Sequence, residues 1–211
     1  MDIANIRKDY TLRSLEADEV ADSPLAQFNR WFEEAIKAEV NEPNAMNLAT
    51  INAQNRPSSR IVLLKGLDNG FIFYTNYNSK KGKELQERPF AALNFFWPEL
   101  ERQVRIEGEV EKVSEADSDQ YFYSRPVSSQ IGAWASPQSQ IIPDRSFLED
   151  REKEMTLRFQ NESLRRPSHW GGFRLIPFYF EFWQGRASRL HDRVVFEKEA
   201  AGQWTKKVLA P

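Results

Sequence analysis

From Ala45 onward the apolar residues recur with a period of two, and a chain written that way folds into strands rather than helices. Met46, Leu48 and Thr50 alternate with Asn47, Ala49 and Ile51 in a first strand, followed by the turn Asn55-Arg56-Pro57. A second strand is expected over Ser59–Lys65, bounded by Gly66. Asp68-Asn69-Gly70 then turns the chain tightly into Phe71–Asn76. Phe90–Trp97 reads as a buried strand. Glu101–Val113 alternates over a long run in which Val104, Ile106, Val110 and Val113 serve a core face, with Gly108 the expected site of a bulge that resets the phase. Phe180–Trp183, Val194–Phe196 and the C-terminal Trp204–Pro211 supply the last strands. This is antiparallel hairpin logic, and closing such strands into a barrel removes most sheet edges. No Gly-x-Gly-x-x-Gly follows a strand, which argues against a dinucleotide-binding Rossmann unit.

Helices flank this β region. Ser23-Pro24 is a helix start, and Leu25, Phe28, Phe32, Ala35 and Ile36 recur at helical spacing before Pro43. Ser79–Leu85 opens a short helix whose free N–H groups and lysines suit a phosphate, although an ordinary solvated charge run reads the same way. Residues 115–136 form two short helices around Arg125-Pro126. There Tyr121, Arg125 and Ser129 recur every four residues, but Pro126 forbids assigning all three to one helix face. Residues 144–162 form a charged helix with Phe147, Leu148, Met155 and Phe159 as its expected buried stripe. Residues 1–22 are polar and are read as a mobile arm, leaving 23–211 as a single domain of mainly β class with flanking helices (α+β).

Composition excludes several functions. Lysine and arginine number 29 against 31 acidic residues, so no global basic field draws nucleic acid or an anionic membrane, and any anion site is a local cluster. There is no cysteine, hence no disulfide, thiolate metal site or cysteine nucleophile, and two histidines are too few for a histidine-built zinc site. Without an apolar run of about 18 residues or an N-terminal signal core, the reading is a soluble, cytoplasmic protein with no metal.

The chemistry concentrates in Phe180–Phe196. On strand alternation, Arg189, His191 and Arg193 share one face, with Leu190 and Asp192 on the other. Two guanidiniums and an imidazole grip an anionic ring well and make a poor core. The competing reading is a solvated strand end with Asp192 neutralising an arginine.

Phe-Glu-Phe-Trp-Gln-Gly, a short insert, then Arg-Leu-His-Asp-Arg resembles the C-terminal signature of the pyridoxine/pyridoxamine 5′-phosphate oxidases. Arg7-Lys8-Asp9-Tyr10, Arg60–Lys65 and Ser128–Trp134 resemble the same family. The resemblance implies an FMN-binding split β-barrel of antiparallel Greek-key type, working as a homodimer with flavin sites shared between subunits. It implies FMN contacts at Arg60, Ile61, Val62, Leu63, Leu64, Lys65, Tyr74, Thr75, Lys80, Lys81, Gln103, Gln138, Ser139, Trp183 and Arg193. Lys80 stands where many relatives carry arginine, keeping the charge but losing the bidentate fork. For the substrate, pyridoxine or pyridoxamine 5′-phosphate, it implies a phosphate grip by Lys65, Tyr121, Arg125 and Ser129. Arg189, Leu190 and His191 lie at the reacting end, with Arg189 and His191 catalytic, and Arg7, Lys8, Asp9 and Tyr10 fold over the substrate. Dioxygen is the implied electron acceptor. Two alternatives remain: a split-barrel flavin oxidoreductase with another substrate, which would share the flavin strand but lose Arg189 and His191, and a non-catalytic binder of flavin or pyridoxal phosphate whose cations bind the same phosphates.

Overall fold

The computed structural model describes residues 2–211. The elements are α1 (Pro24–Lys37), β1 (Ala45–Ile51), β2 (Pro57–Leu63), β3 (Gly66–Leu67), β4 (Phe71–Asn76), α2 (Lys80–Glu87), β5 (Phe90–Trp97), β6 (Arg102–Lys112), α3 (Glu115–Ser124), α4 (Val127–Ala135), α5 (Arg145–Asn161), β7 (Trp170–Gln184), β8 (Asp192–Lys198) and β9 (Trp204–Leu209). The strands hydrogen-bond in the order β2-β1-β5-β6-β7-β4-β3, with β8 and β9 added beyond β7, and all pairs are antiparallel. The Lys65 N–H donates to the Ile72 carbonyl at 2.8 Å, which brings the end of β2 back beside β4. The result is a split β-barrel.

Alternation builds its interior. Leu48, Leu93, Ile106, Phe180 and Phe196 are opposite one another on successive strands, and all are essentially inaccessible to solvent. Helix α1 packs into the same core. Its Phe28 meets Phe71 edge-on at 4.8 Å and Trp31 meets Phe182 edge-on at 5.3 Å. A buried aromatic of this kind contributes about 1.5–3 kcal/mol by leaving water. The buried face of α1 is Gln27, Phe28, Trp31 and Ala35, and the expected Ile36 is 54% exposed. Ile36 stands about 100° round the helix from Ala35, beyond the edge of the stripe.

Four other expectations are corrected. The second strand ends at Leu63, so Lys65 stands in the link to β3. The barrel's phase reset is in β7, not β6. Glu107 faces Tyr179 and Gly108 faces Pro177, so Phe178 is the extra residue. Burial on β6 keeps one phase through Gly108, whereas β7 buries Phe173 and Leu175 before the bulge and Phe180 and Phe182 after it. At this point β7 leaves β4 and takes β8 as its partner. On α5 only Met155 is buried, packed with Ile131 and Ala135, and Phe147 is exposed. Finally, Arg189 and Leu190 are not in a strand. Residues Ala187–Arg189 make a 3-10 turn, and β8 begins at Asp192.

Residues 2–22 run back along the barrel. Leu15 and Val20 are buried, the Leu12 N–H donates to Glu101 at 3.0 Å, and the Leu15 N–H donates to Asp192 at 2.9 Å. No helix among the described residues is long and apolar enough to cross a membrane.

Candidate active site

The sequence-selected residues fall into two separate cavities of the one chain. The first, of about 310 Å³, is lined by Ile61, Val62 and Leu63 of β2, by Lys65, and by Tyr74 and Thr75 of β4. Lys81 of α2, Tyr121 and Arg125 at the end of α3, Gln138 and Trp170 complete the wall. Ser79 caps α2 by accepting from the Gly82 N–H, which points the first turn and Lys81 into this space. The Lys81 ammonium donates to Thr75 Oγ1 at 3.2 Å and Gln138 Oε1 at 3.3 Å, both neutral. Burial pushes its pKa down, and neighbouring Arg60 pushes it further, against the pull of Glu84. Arg125 donates through Nη2 to the Ser129 carbonyl at 2.8 Å, while its buried Nη1 has no partner. Burial lowers the Arg125 pKa as well.

Arg60 stands behind this cavity. Its guanidinium donates to Ser58 and to the Leu48 carbonyl and pairs with the buried Glu84 at 3.3 Å. Lys80 is exposed at the start of α2, and Ser139 is exposed beside Gln138 with a left-handed backbone (φ 69°). The Leu64 side chain is in the hydrophobic core, so only its backbone can face this cavity. Ser129 contributes its carbonyl to Arg125.

The second cavity, of about 320 Å³, is lined by Ile6, Arg7, Lys8, Asp9 and Tyr10 of the arm together with Arg186, Arg189 and His191. Ser188 and Arg189 both take left-handed backbone, φ 56° and 61°. That reversal, not strand alternation, brings Arg189 and His191 to one space. Leu190 is 68% exposed outside it. The Arg186 backbone N–H donates to His191 Nδ1 at 3.1 Å, so the neutral ring carries its proton on Nε2. Burial and then Arg189 hold the His191 pKa below the ordinary imidazole value, with Asp192 pulling the other way. Trp183 is 4.6 Å from His191 and 5.7 Å from Tyr10, ring centre to ring centre. Gln103, Trp183 and Arg193 stand opposite one another on β6, β7 and β8. Arg193 is held by two 3.0 Å bonds to buried Glu181 and one of 2.8 Å to the Ala210 carbonyl. The arginine that Asp192 neutralises is Arg186, at 2.8 Å.

Sequence reasoning missed Arg186, Trp170, Glu84 and Glu181. Arg186 is inside the Gln-Gly-Arg stretch and could have been taken with it. Glu181 is likewise inside the Phe-Glu-Phe-Trp-Gln-Gly signature, whereas Trp170 and Glu84 read as ordinary core or surface residues because their partners are remote in sequence.

A buried, unpartnered guanidinium nitrogen and a desolvated lysine with only neutral partners suit a phosphate. The flat walls of Tyr74, Tyr121 and Trp170 suit a ring. These features define a split-barrel protein with a cavity whose lining suits a planar anion. Residues 32–159 match the family model described as pyridoxamine 5′-phosphate oxidase, and residues 170–211 match that of the pyridoxine 5′-phosphate oxidase C-terminal dimerisation region. The pyridoxine/pyridoxamine 5′-phosphate oxidase of Leptospira interrogans is 57% identical over 210 residues, covering 99% of this chain and 98% of that protein. Among solved structures, PhzG from Burkholderia lata, in complex with tetrahydrophenazine-1-carboxylic acid, superposes with a TM-score of 0.89. It is 32% identical, over 97% of this chain and 100% of that one. An FMN-binding protein from Nostoc punctiforme shares the fold, with a TM-score of 0.72 at 15% identity over 90% of this chain and 98% of that one. The chain therefore belongs to the pyridoxine/pyridoxamine 5′-phosphate oxidase family of enzymes.

Proposed function

We propose that this protein uses FMN to oxidise pyridoxine 5′-phosphate or pyridoxamine 5′-phosphate to pyridoxal 5′-phosphate. Dioxygen is the final electron acceptor and leaves as hydrogen peroxide. The observation that carries this reading is the division of the site. One cavity holds Lys65, Lys81, Tyr121 and Arg125, while Arg189, His191 and the arm hold the other. Trp183, Arg189, His191 and Arg193 all belong to the stretch matched by the dimerisation model. Two copies would therefore bring the first cavity of one against the second of its partner, completing two equal sites.

In that arrangement Lys81 and Arg60 would hold the FMN phosphate, and Gln103, Gln138, Trp183 and Arg193 would hold its ring. FMN, when bound, supplies the hydride acceptor. Lys65 and Arg125 bind the substrate phosphate with Tyr121. Arg189 lays its planar guanidinium along the pyridine ring and holds it in line for hydride loss. His191 donates its Nε2 proton to the substrate oxygen or nitrogen. Tyr10 and its neighbours close the space against water. With the amine substrate, the imine produced is hydrolysed to the aldehyde and ammonia.

The bound tetrahydrophenazine carboxylic acid of the PhzG structure favours one second reading, oxidation of a planar carboxylic acid. The open Arg125 nitrogen beside Lys65 favours a phosphate dianion over a single carboxylate. The test is the visible spectrum of FMN-loaded protein under nitrogen. Pyridoxine 5′-phosphate should bleach the flavin bands, and air should restore them with release of peroxide. Bands that stay unchanged with either B6 phosphate, on protein that holds FMN, would overturn the proposal.

A further inference from the structure

We propose that Trp170 is a positioning residue that holds the Arg125 guanidinium by the face of its indole, leaving Arg125 unneutralised for the substrate phosphate. This rests on the reading above, in which Arg125 meets that phosphate.

Three observations converge. First, the guanidinium carbon of Arg125 is 4.6 Å from the Trp170 ring centre, and Trp170 is 7% exposed. Second, Arg125 has no carboxylate within 4.0 Å among the described residues, and its one side-chain hydrogen bond goes to a backbone carbonyl. Other arginines of the site are oriented by acids, Arg60 by Glu84 and Arg193 by Glu181. An acid in that place would compete with an incoming dianion, whereas a π face attracts the cation without adding a negative charge. Third, the indole itself is fixed. It is nearly parallel to Tyr74 and Tyr121, at 12° and 7°, and meets Phe122 at 67°. The buried Arg166 side chain donates to the Trp170 carbonyl at 2.6 Å and pairs with Asp119 of α3, which ties the start of β7 to the helix that carries Tyr121. Arg125 Nη1 is left as a buried donor with no protein partner.

The experiment is steady-state peroxide kinetics of FMN-loaded Trp170→Leu and Trp170→Phe with pyridoxine 5′-phosphate. Inorganic phosphate serves as a competitive probe of the same subsite. Each variant is also made in an Arg125→Ala background. Trp170→Leu should raise KM and weaken phosphate inhibition about tenfold, with kcat changed by less than about twofold. Trp170→Phe keeps a ring, and the rise should be about threefold. Both effects should shrink below about twofold without Arg125, because the pair acts as one unit. An unchanged KM in both variants would overturn the proposal, as would an effect that persists undiminished in the Arg125→Ala background. Wild-type protein indifferent to inorganic phosphate and to B6 phosphates would instead sink the functional reading itself. A wild-type preference for phosphate that survives in both variants removes Trp170 alone.

Discussion

In the first cavity Lys65, Lys81 and Arg125 have no acid within 4.0 Å among the described residues, whereas around the second Lys8 pairs with Glu101, Arg186 with Asp192 and Arg193 with Glu181. The difference assigns them different work. A unit charge about 4 Å from another is worth on the order of 4 kcal/mol at an effective dielectric near 20. Cations without partners keep that attraction for a ligand. Paired cations put it into their own architecture, and here they hold the Asp192 turn, the C-terminal strand and the arm in place. Among the described residues lining the second cavity, only the Arg7 and Arg189 cations are outside such pairs.

The widest separation should come from Arg60→Ala against Lys81→Ala. Both should lower FMN affinity, by about 2–5 kcal/mol for a desolvated phosphate contact. Only Arg60→Ala should also destabilise the fold, by about 1.5–3 kcal/mol, since it leaves buried Glu84 without its cation and held only by the Thr50 and Ser58 hydroxyls. FMN titration and thermal melting of both apo-proteins decide this. Equal melting temperatures would mean that Glu84 does not depend on Arg60.

Next in size is Arg189→Met, which should keep its flavin and lose about a hundredfold in kcat/KM. Flavin lost in proportion to activity would move Arg189 to the cofactor. A smaller effect is expected for Gly185→Ala. A Cβ there would approach Tyr10 Cγ to 2.6 Å, so the ring and the arm must shift. KM should rise about tenfold with FMN affinity unchanged, as for local overpacking. An unchanged KM would show that the arm takes no part.

The mildest test is pH. The folded His191 pKa lies below its free value, so the neutral ring holds near neutrality and protonates only in more acid solution. Protonation breaks the bond from the Arg186 N–H, and activity should fall as the pH drops through the lowered His191 pKa. The same sign applies to stability, because the unfolded chain takes up the proton first and gains relative to the folded one. His191→Asn should flatten this limb while losing less than Arg189→Met. A limb unchanged in that variant assigns the titration to another group.

Period-two alternation and turn residues are local properties, so the sequence by itself determined most of the strands, their antiparallel character and the helix starts at Ser23 and Ser79. The family signature likewise named most of the residues that line the two cavities. Local patterning could not show that these residues divide between two cavities. Lys81 meets Gln138 across 57 positions, and Tyr10 meets Trp183 from the far end of the chain. Only the closed barrel makes such neighbours. The same limit explains the bulge at Phe178, where two partner strands compete for β7, and the left-handed pair Ser188-Arg189, whose backbone is held by the Asp192 and His191 contacts on either side of Arg186. Alternation is written residue by residue, but a partner switch and a reversed turn exist only when the rest of the molecule supplies the other half of each contact.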